Sequence, residues 1–426
     1  MKANFSIFLY RLFLFLLLPV ILLLLLLRSK NNLAYRQRLS ERLGFVSSKL
    51  KPNGIVVHGA SVGEVVALKP FIEKLLVEYP TTPVTVTTFT PTGSAQVLKL
   101  FGERVQHCYL PLDVFFATAL FLKRLRPKVL VFMETEIWPN LIVQAKNNAI
   151  PLQLINGRLS DKSVQQYQKL HWLIAASLKK FDKILTQSED NKQRFLALGA
   201  ILENTEVSGN LKYDIQHDDI FRQKAEELQQ FLTTDKNIWV MASTHEGDEK
   251  IALNTFSAVL KDSPQTLLVI VPRHPERFEE VFTLCVDAGF KVSRRSDKQD
   301  LEDDCQIWIL DSLGELMGLY SLSDLVTMGG SFSKVGGHNP LEPALFKKPI
   351  IVGPNMSNFT EVFDQMLETE GLVQVNSSKE LSGKVSTLLN DQNKRATLGQ
   401  NAYEVIANNQ GASAKSLAVL NQLIDK

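Results

Sequence analysis

The chain alternates short apolar runs, rich in β-branched residues, with longer amphipathic stretches. Such short runs predict strands, and stretches with apolar residues at helical spacing predict helices. In the first half, the predicted strands are Ile55–His58, Val84–Phe89, Val129–Met133, Leu152–Ile155 and Lys183–Thr186, and the predicted helices are Glu64–Val77, Asp113–Leu125, Trp138–Lys146 and Ser160–Leu178. In the second half, the predicted strands lie near Ile238–Ala242, Thr266–Val271, Ile307–Leu310, Leu325–Met328 and Ile350–Val352, with helices between and after them.

This alternation is typical of parallel sheets that helices cover on both faces. A chain of 426 residues also exceeds what one hydrophobic core usually supports. The sequence therefore predicts an α/β protein with two doubly wound, Rossmann-like domains that face a cleft. The expected organisation is a membrane anchor over residues 1–30, a first domain over 31–212 and a second domain over 213–426 that includes the C-terminal helices.

The N-terminal segment is apolar enough to span a membrane. Residues Leu12–Leu27 carry no charge, and a helix over Phe5–Leu27 would be roughly 35 Å long, against a hydrocarbon core of about 30 Å. A cleaved signal peptide is the alternative, but Arg28–Asn32 lacks the small residues that precede a cleavage site. Lys and Arg are more frequent after the segment than before it, which predicts a retained single-pass anchor and a cytoplasmic body. These basic residues would also attract anionic headgroups of membrane lipids.

Composition narrows the class of protein. The chain has 47 basic and 45 acidic residues, and eight of the basic residues fall within residues 1–50, so the remainder is mildly acidic. Such a body argues against a nucleic-acid partner, because phosphate contacts need a basic face. A content of 45% hydrophobic and 22% charged residues excludes a disordered or multi-spanning protein. The three cysteines, Cys108, Cys285 and Cys305, are far apart, which suits a reducing compartment and predicts no structural zinc.

Carboxylates follow two predicted strands of the first half. After the first strand, Gly59–Glu64 leads into a helix and places Glu64 in its first turn, where a carboxylate could accept a proton from an attacking alcohol. The pair Ser61 and Glu64 also fits a capping box, in which Glu64 has a purely structural role. Glu134 and Glu136 follow the strand Val129–Met133, and Arg158 is a candidate ion-pair partner for either of them.

The second half carries groups suited to binding an anionic nucleotide. Lys212, at the predicted domain junction, could neutralise a departing phosphate, and Arg273 follows a strand as a candidate phosphate clamp. The strand Leu325–Met328 runs into a glycine loop, and a helix is expected to start at Asn339 with Pro340 in its first turn, forming an anion site. Glu342 could accept hydrogen bonds from ribose hydroxyls or could complete a capping box with Asn339. The loop lacks the nucleotide-binding patterns of P-loop and dinucleotide-binding proteins, and no metal clamp is indicated.

Taken together, these motifs resemble the 3-deoxy-D-manno-octulosonic acid (Kdo) transferase family of lipopolysaccharide assembly. The resemblance covers nearly the whole chain after the apolar segment and runs through Tyr35–Gly44, His58–Glu64, Glu134–Asn140, Asn156–Ser160, Gly209–Asp214, Pro272–Arg277, Gly329–Ser331 and Gly336–Glu342. The family is similar in architecture to the two-domain GT-B glycosyltransferases. In these enzymes the N-terminal domain faces the acceptor and the C-terminal domain binds the nucleotide.

The resemblance also implies roles for individual residues. It implies that Glu64 is the general base and that Glu134 and Lys212 stabilise the transition state. It further implies that the donor is bound by Pro272, Arg273, Leu313, Gly314, Glu315, Asn339, Pro340, Leu341 and Glu342. The implied donor is CMP-Kdo and the implied acceptor is the lipid A precursor lipid IVA, with inversion at the anomeric carbon, no metal or cofactor, and an inner-membrane location facing the cytoplasm.

Two alternatives stay open at this stage. One is a transferase or epimerase of the same fold that uses a UDP-sugar. The other is a noncatalytic membrane-bound scaffold that kept the fold without turnover. The joint presence of Glu64, Lys212, Arg273 and Glu342 favours catalysis over the scaffold.

Overall fold

The computed structural model describes residues 2–30, 32–215, 217–232 and 234–425. The chain forms two compact units, Met1–Asp214 with Asn409–Lys426, and Ile215–Asn408. Each unit contains a seven-stranded sheet in which all the neighbouring strands are parallel. The predicted α/β class with two Rossmann-like sheets is therefore confirmed.

The first unit is built on the strand order β3-β2-β1-β4-β5-β6-β7. The strands are β1 (Ile55–His58), β2 (Val84–Thr88), β3 (Gln106–Tyr109), β4 (Val129–Met133), β5 (Leu152–Gly157), β6 (Lys183–Thr186) and β7 (Thr205–Val207). The helices are α1 (Lys2–Arg28), α2 (Leu39–Arg42), α3 (Val62–Glu78), α4 (Pro91–Phe101), α5 (Phe115–Leu125), α6 (Pro139–Asn147), α7 (Asp161–Lys169), α8 (His171–Leu178) and α9 (Glu189–Ala197).

Both faces of this first sheet are buried, which explains why its central strands β1 and β4 are almost continuously apolar. Successive residues of a strand point to opposite faces. In β1, Val56 packs in one hydrophobic cluster, while Ile55 and Val57 pack in another. In β4, Leu130 and Phe132 likewise face the first cluster and their neighbours face the second. Helices on both faces are thus required to cover the sheet.

The second unit has the strand order β10-β11-β9-β8-β12-β13-β14. The strands are β8 (Asn237–Thr244), β9 (Thr266–Pro272), β10 (Val292–Arg294), β11 (Ile307–Ile309), β12 (Leu325–Met328), β13 (Ile350–Val352) and β14 (Val373–Gln374). The helices that follow α9 along the chain are α10 (Asp219–Gln229), α11 (Asp248–Asp262), α12 (Phe278–Asp287), α13 (Leu316–Leu322), α14 (Leu341–Leu345), α15 (Thr360–Glu368), α16 (Ser378–Leu389), α17 (Gln392–Asn409) and α18 (Ala412–Ile424).

The final helix corrects the expected domain organisation. The second domain was expected to extend over 213–426 and to include all C-terminal helices, but α18 belongs to the first unit. Ala412, Val419 and Leu420 of α18 are buried in the same cluster as the core residues of α3. Tyr79 at the end of α3 donates a hydrogen bond to Asn421 over 2.8 Å. Because the apolar face of α18 is buried in the core of the first unit, this last helix belongs to the same unit as the N-terminal half of the chain.

The structure also divides the predicted helix Ser160–Leu178 into α7 and α8. Leu170, between them, has φ −114° and ψ 27°, outside the α-helical region. Neither glycine nor proline marks this break, so the local sequence gave no signal for it. The edge strands β3, β7, β10 and β14 were not predicted, because short strands with polar residues are stabilised by pairing with a neighbour rather than by their own pattern.

The helix α1 contains a segment, Ile7–Arg28, that is long and apolar enough to cross a membrane, and little of it is buried in the protein. Length and composition therefore fit a membrane anchor.

Asp214 joins the two parts of the first unit. Its carboxylate accepts hydrogen bonds from the backbone N–H groups of Gly411, over 2.7 Å, and Ser413 at the start of α18. Asp214 is only 4% exposed, and loss of its carboxylate leaves the Gly411 N–H and the buried Ser413 N–H without this acceptor.

We predict that Asp214→Ala loosens α18. The lost cap should accelerate hydrogen exchange of the first α18 amides by about tenfold, equivalent to about 1.4 kcal/mol of local stability. Exchange measured by mass spectrometry on peptides that cover α18 checks this. Asp219→Ala is the control, because Asp219 is exposed in the other unit. Unchanged exchange in the Asp214 variant would contradict the capping role.

Candidate functional site

In both sheets, the candidate residues gather at the carboxyl ends of the central strands. In the first sheet, β1 pairs with β2 on one side and with β4 on the other, so the strand order reverses there. Ligands of doubly wound proteins bind at such reversals, because the following loops diverge and leave a crevice. His58 ends β1, and Glu134 follows β4.

Glu64 is held at the start of α3 by hydrogen bonds to both of its carboxylate oxygens. The Ala60 N–H donates to Oε2 over 2.8 Å, and the Ser61 hydroxyl donates to Oε1 over 2.9 Å. The Ser61 oxygen in turn accepts the Glu64 N–H over 3.4 Å. Half of the expected capping box is therefore present, but the carboxylate bonds the N–H of Ala60 rather than that of Ser61. Capping and a chemical role for Glu64 are compatible.

The pKa of Glu64 is raised to about 7. Burial is the main cause, and the negative charge of Glu136 is the next. Glu134 adds a smaller effect in the same direction, while the hydrogen bonds from Ala60 and Ser61 oppose the rise. A carboxylate with this pKa can take up and release a proton near neutral pH, which suits a general base.

Glu136 is the fixed negative charge beside Glu64. His58 Nε2 lies 3.1 Å from Glu136 Oε2, and the indole N–H of Trp138 donates to the same oxygen over 2.8 Å. Burial alone would raise the pKa of Glu136, but the hydrogen bond and charge of His58 and the Trp138 N–H outweigh it and lower the pKa below its ordinary value. His58 is itself buried, with Nδ1 3.0 Å from the Thr87 hydroxyl. Glu136 therefore stays ionised at neutral pH.

Glu134 is held in an unusual backbone conformation. Its φ is +54°, in the left-handed region that costs a non-glycine residue about 1–2 kcal/mol. Burial raises the pKa of Glu134, the positive charges of Lys212 and Arg158 lower it, and Glu136 raises it. Arg158, for which the sequence left two carboxylate partners open, therefore interacts electrostatically with Glu134.

Lys212 is placed beside Glu134 by an asparagine of β5. It lies in a short 3-10 helix, Leu211–Tyr213. The buried Asn156 side chain accepts the Leu211 N–H over 3.0 Å. Asn210 accepts the Lys212 N–H over the same distance. The predicted catalytic residues Glu64, Glu134 and Lys212 thus share one electrostatic site in the first unit.

The second sheet reverses its strand order at β8, between β9 and β12. The buried carboxylate of Asp248 connects the loops that follow β8 and β12. Its Oδ2 accepts the N–H of His245 over 2.8 Å and that of Gly330 over 2.6 Å. The loop after β9 is held by Arg277, which forms two hydrogen bonds, of 2.7 and 3.1 Å, with the carboxylate of Glu249. These buried charges set the positions of the loops that carry the donor-site candidates.

Three imidazoles meet where these loops converge. His245 Nε2 lies 2.8 Å from His338 Nε2, and the ring centres of His245 and His274 are 5.2 Å apart. Burial, together with the positive charges of His245, Arg273 and His274, lowers the pKa of His338 to about 4. The pKa of His245 is also lowered, first by burial and then by His274, Arg277 and Arg273. The imidazoles of His245 and His338 therefore favour the neutral form, and a bound anion would stabilise their protonated form.

Glu342 lies within the electrostatic field of Arg273, but the helix near Asn339 and Glu342 differs from the prediction. The helix α14 begins at Leu341 and has only five residues, with Pro340 as its N-cap. The predicted start at Asn339 is wrong, because the Asn339 side chain accepts the Leu341 N–H over 3.2 Å and forms a turn instead. Burial raises the pKa of Glu342 to about 7, although the Asn339 hydrogen bond and the Arg273 charge oppose the rise.

The loop Leu313-Gly314-Glu315 borders a separate cavity of about 300 Å³ in the second unit. Arg295 forms an ion pair of 3.2 Å with Glu315, and Lys224 also lines the cavity. Gly314 has φ +87°, a conformation that glycine adopts without strain. The loop opens α13, which carries the buried Tyr320. The pKa of Tyr320 is raised by burial and by Glu342 and lowered by Arg273, so α13 extends from this cavity to the Arg273–Glu342 pair.

Several contributing residues were not assigned roles from the sequence. His58 and Trp138 appeared in the motifs, but only the pairing of β1 with β4 brings them to Glu136. The sequence around Asp248 and Tyr320 did not indicate a role for either residue. Asp248 binds two loops that are distant in sequence, and Tyr320 interacts with Glu342 and Arg273 only in the folded protein. Among the described residues, no group of three or more His, Cys, Asp or Glu side chains is arranged to hold a metal ion.

The chain is similar to known proteins over nearly its whole length. The family model of 3-deoxy-D-manno-octulosonic-acid transferase (kdotransferase) matches residues 37–215, and that of glycosyl transferases group 1 matches residues 235–405. A 3-deoxy-D-manno-octulosonic acid transferase of Haemophilus influenzae is 40% identical over 422 residues, which cover 98% of this chain and 99% of that protein. One from Rickettsia bellii is 29% identical over 419 residues, covering 97% and 99%.

A likeness to solved structures supports the GT-B fold. A UDP-GlcNAc 2-epimerase from Neisseria meningitidis aligns with a TM-score of 0.57 and 15% identity over 88% of this chain and 100% of that one. At this identity the likeness shows the fold alone.

We predict that the Glu64 carboxyl titrates near pH 7 and that Glu136→Gln lowers the midpoint, because the variant removes the neighbouring negative charge. Carbon-13 NMR of labelled glutamate side chains can follow the titration, with Glu64→Gln identifying the resonance. Glu73, which forms an ion pair with Arg104 elsewhere on α3, provides the control variant, Glu73→Gln, which should leave the midpoint unchanged. If Glu136→Gln did not lower the midpoint, Glu136 would not be the charge that tunes Glu64.

Proposed function

The chain belongs to the Kdo transferase family and is a glycosyltransferase, and on this premise we propose that it moves Kdo from CMP-Kdo to the lipid A precursor lipid IVA with inversion at the anomeric carbon. The observation that carries the proposal is the Glu64 carboxylate, bound through both oxygens beside an ionised glutamate and with a pKa of about 7. The reaction takes place at the cytoplasmic face of the inner membrane, where the apolar helix α1 attaches the enzyme.

In the proposed reaction, Glu64 accepts the proton of an acceptor sugar hydroxyl. The hydroxyl oxygen forms a bond to the anomeric carbon of Kdo while the bond from that carbon to the CMP phosphate oxygen breaks. Attack from the face opposite the leaving group inverts the anomeric centre. The proton ends on Glu64 and the negative charge ends on CMP, so the displacement is balanced without an added reactant. Lys212, placed beside Glu134, offsets negative charge that develops in the transition state.

The second unit supplies the donor site in this proposal. The Arg273 guanidinium binds the CMP phosphate, since its planar donors match phosphate oxygens. Glu342, close to Arg273, accepts hydrogen bonds from the ribose hydroxyls, and Pro340 and Leu341 form the turn that presents it. Pro272 ends β9 and fixes the start of the Arg273 loop. Leu313, Gly314 and Glu315 contact the cytosine.

In this proposal, the imidazole cluster of the second unit binds the carboxylate of the Kdo sugar. Kdo carries a carboxylate on its anomeric carbon, so the site must hold a second negative charge close to the phosphate. The cluster of His245, His274 and His338 lies in the electrostatic field of Arg273. Protonation of one imidazole upon binding would stabilise the carboxylate there.

Removal of the proposed base should abolish turnover without loss of the nucleotide. We predict that Glu64→Gln lowers kcat by about 100-fold or more and leaves CMP affinity unchanged. In the parent enzyme, kcat/KM should fall as pH drops below about 7, because Glu64 becomes protonated. The rate is measured as CMP released from CMP-Kdo in the presence of lipid IVA, and mass spectrometry identifies the lipid product. The control variant is Glu73→Gln. A near-parental rate for Glu64→Gln would show that the base assignment is wrong.

The donor assignment predicts that some substitutions weaken the binding of the nucleotide, while others weaken only the binding of the sugar. Arg273→Lys should weaken both CMP and CMP-Kdo, whereas His338→Gln should weaken CMP-Kdo by about tenfold and leave CMP unchanged. Calorimetric titration without acceptor measures both affinities. His217→Gln, in the same unit but outside the cluster, is the matched control. Equal loss for CMP and CMP-Kdo would contradict a carboxylate site, and UDP binding more tightly than CMP would contradict the donor itself.

A further inference from the structure

The apolar helix α1 packs with one face against the rest of the first unit. One stripe of the helix is turned towards the protein, with Tyr10, Leu14, Leu18, Ile21, Leu22 and Leu25 among its less exposed residues. These positions recur every three to four residues, which is the spacing of a single helix face. Leu18, Ile21 and Leu22 pack against Leu112, Val114 and Ala117 of the first unit.

Polar contacts hold the beginning of this stripe. The Tyr10 hydroxyl donates to Asp113 Oδ2 over 2.9 Å, and Arg11 Nε donates to Asn140 Oδ1 over the same distance. The Arg11 guanidinium also lies 4.3 Å from the ring centre of Phe115. The residues joined in this way are more than 100 positions apart in sequence. Contacts of this kind specify one docked position for the helix, which apolar packing alone would not.

The groups that receive Tyr10 and Arg11 are themselves part of the folded core. Asp113 is 5% exposed and accepts the N–H groups of Asn140 and Leu141 over 2.9 Å each, so it caps the start of α6. Asn140 is fully buried. Detaching the helix would leave buried polar groups without their partners, which is costly.

These contacts are incompatible with a helix that crosses the bilayer. Tyr10 precedes Arg28 by eighteen residues, or about 27 Å along the helix axis, which nearly equals a hydrocarbon thickness of about 30 Å. If α1 spanned with Arg28 at the cytoplasmic surface, Asp113 and the start of α6 would lie near the opposite headgroups. The irregular segment Leu112–Val114, which contacts Leu18–Leu22, would then lie among the acyl chains. Irregular backbone and charged groups exposed to lipid do not occur at that depth.

The opposite face of α1 is broadly apolar and exposed. It presents the large side chains Phe8, Leu12, Phe13, Phe15, Leu16, Val20, Leu23, Leu24 and Leu27. Phe115 and Phe116 of α5, next to the Arg11 contact, are exposed as well. An exposed apolar surface of this extent is typical of a site that binds a membrane or another protein. Arg28 and Lys30 at its end supply positive charge suited to anionic lipid headgroups.

We propose that α1 lies in the plane of the membrane surface, with its Tyr10–Leu25 stripe docked on the first unit and its opposite face among the acyl chains of one leaflet. The segment then does not cross the bilayer, and its beginning lies on the same side as the two units. This differs from the single-pass topology expected from length and charge. The proposal rests on the contacts of α1 and is independent of the reaction.

Residue accessibility distinguishes the two topologies. The native cysteines Cys108, Cys285 and Cys305 are buried, so the parent chain serves as the unlabelled blank. Single-cysteine additions Lys2→Cys and Lys30→Cys are treated with a membrane-impermeant maleimide in intact spheroplasts and in inside-out vesicles. We expect both to react only in inside-out vesicles. Labelling of Lys2→Cys in spheroplasts, with Lys30→Cys labelled only in inside-out vesicles, would overturn the proposal.

A photo-crosslinker tests the docking itself in the full-length, membrane-bound protein. Benzoylphenylalanine at position 10 should cross-link within the chain to the segments around Asp113 and Asn140, as mapped by peptide mass spectrometry. The same group at position 16 should cross-link lipid, because Leu16 is 68% exposed on the other face. Lipid cross-links from both positions would show that α1 is not docked and would overturn the proposal.

Discussion

The candidate site depends on one buried negative charge, the carboxylate of Glu136. His58 and Trp138 hold it ionised, although its burial favours the neutral form. Its charge then acts on the partly buried Glu64 and is, after burial, the largest cause of the raised pKa of that carboxyl. Two carboxylates that share a low-dielectric region cannot both ionise easily, so fixing one in the charged state moves the other towards neutral pH. A carboxylate that is merely a helix cap would not need this arrangement.

Both sheets use the same constraint to assemble polar groups. At each reversal of strand order, loops from neighbouring strands meet, and charged residues that are distant in sequence become neighbours. Backbone strain accompanies this convergence, since Glu134, Asn156 and Ser243 all have positive φ and lie at or near the carboxyl ends of β4, β5 and β8. Strained residues persist where surrounding contacts hold them, as the 3.0 Å hydrogen bond from the Glu134 N–H to Ile155 does here.

The sequence predicted central elements better than the contacts that complete the site. Strands such as β1 and β4 are fully buried, so their apolar runs were unambiguous, and Glu64 stood out because it follows β1 directly. The break at Leu170 and the docking of α18 depend on packing against other parts of the chain, for which a local pattern carries no signal. For the same reason, the His58–Glu136 contact follows from strand pairing and the start of α14 from a turn at Asn339. The resemblance to a family pointed to the residues, while the physical role of their neighbours needed the three-dimensional arrangement.

The docked helix and the candidate base are connected through α6. Tyr10 contacts Asp113, which caps the start of α6, and Arg11 contacts Asn140 in the first turn of α6. The helix α6 directly follows the Glu134–Trp138 segment that carries Glu136. Trp138 is both the N-cap residue of α6 and a hydrogen-bond donor to Glu136. An in-plane α1 would therefore do more than keep the enzyme near a lipid substrate. Because the same short segment joins α1 to the charge that tunes Glu64, an α1 docked in this way would also fix the geometry of the proposed base relative to the membrane surface.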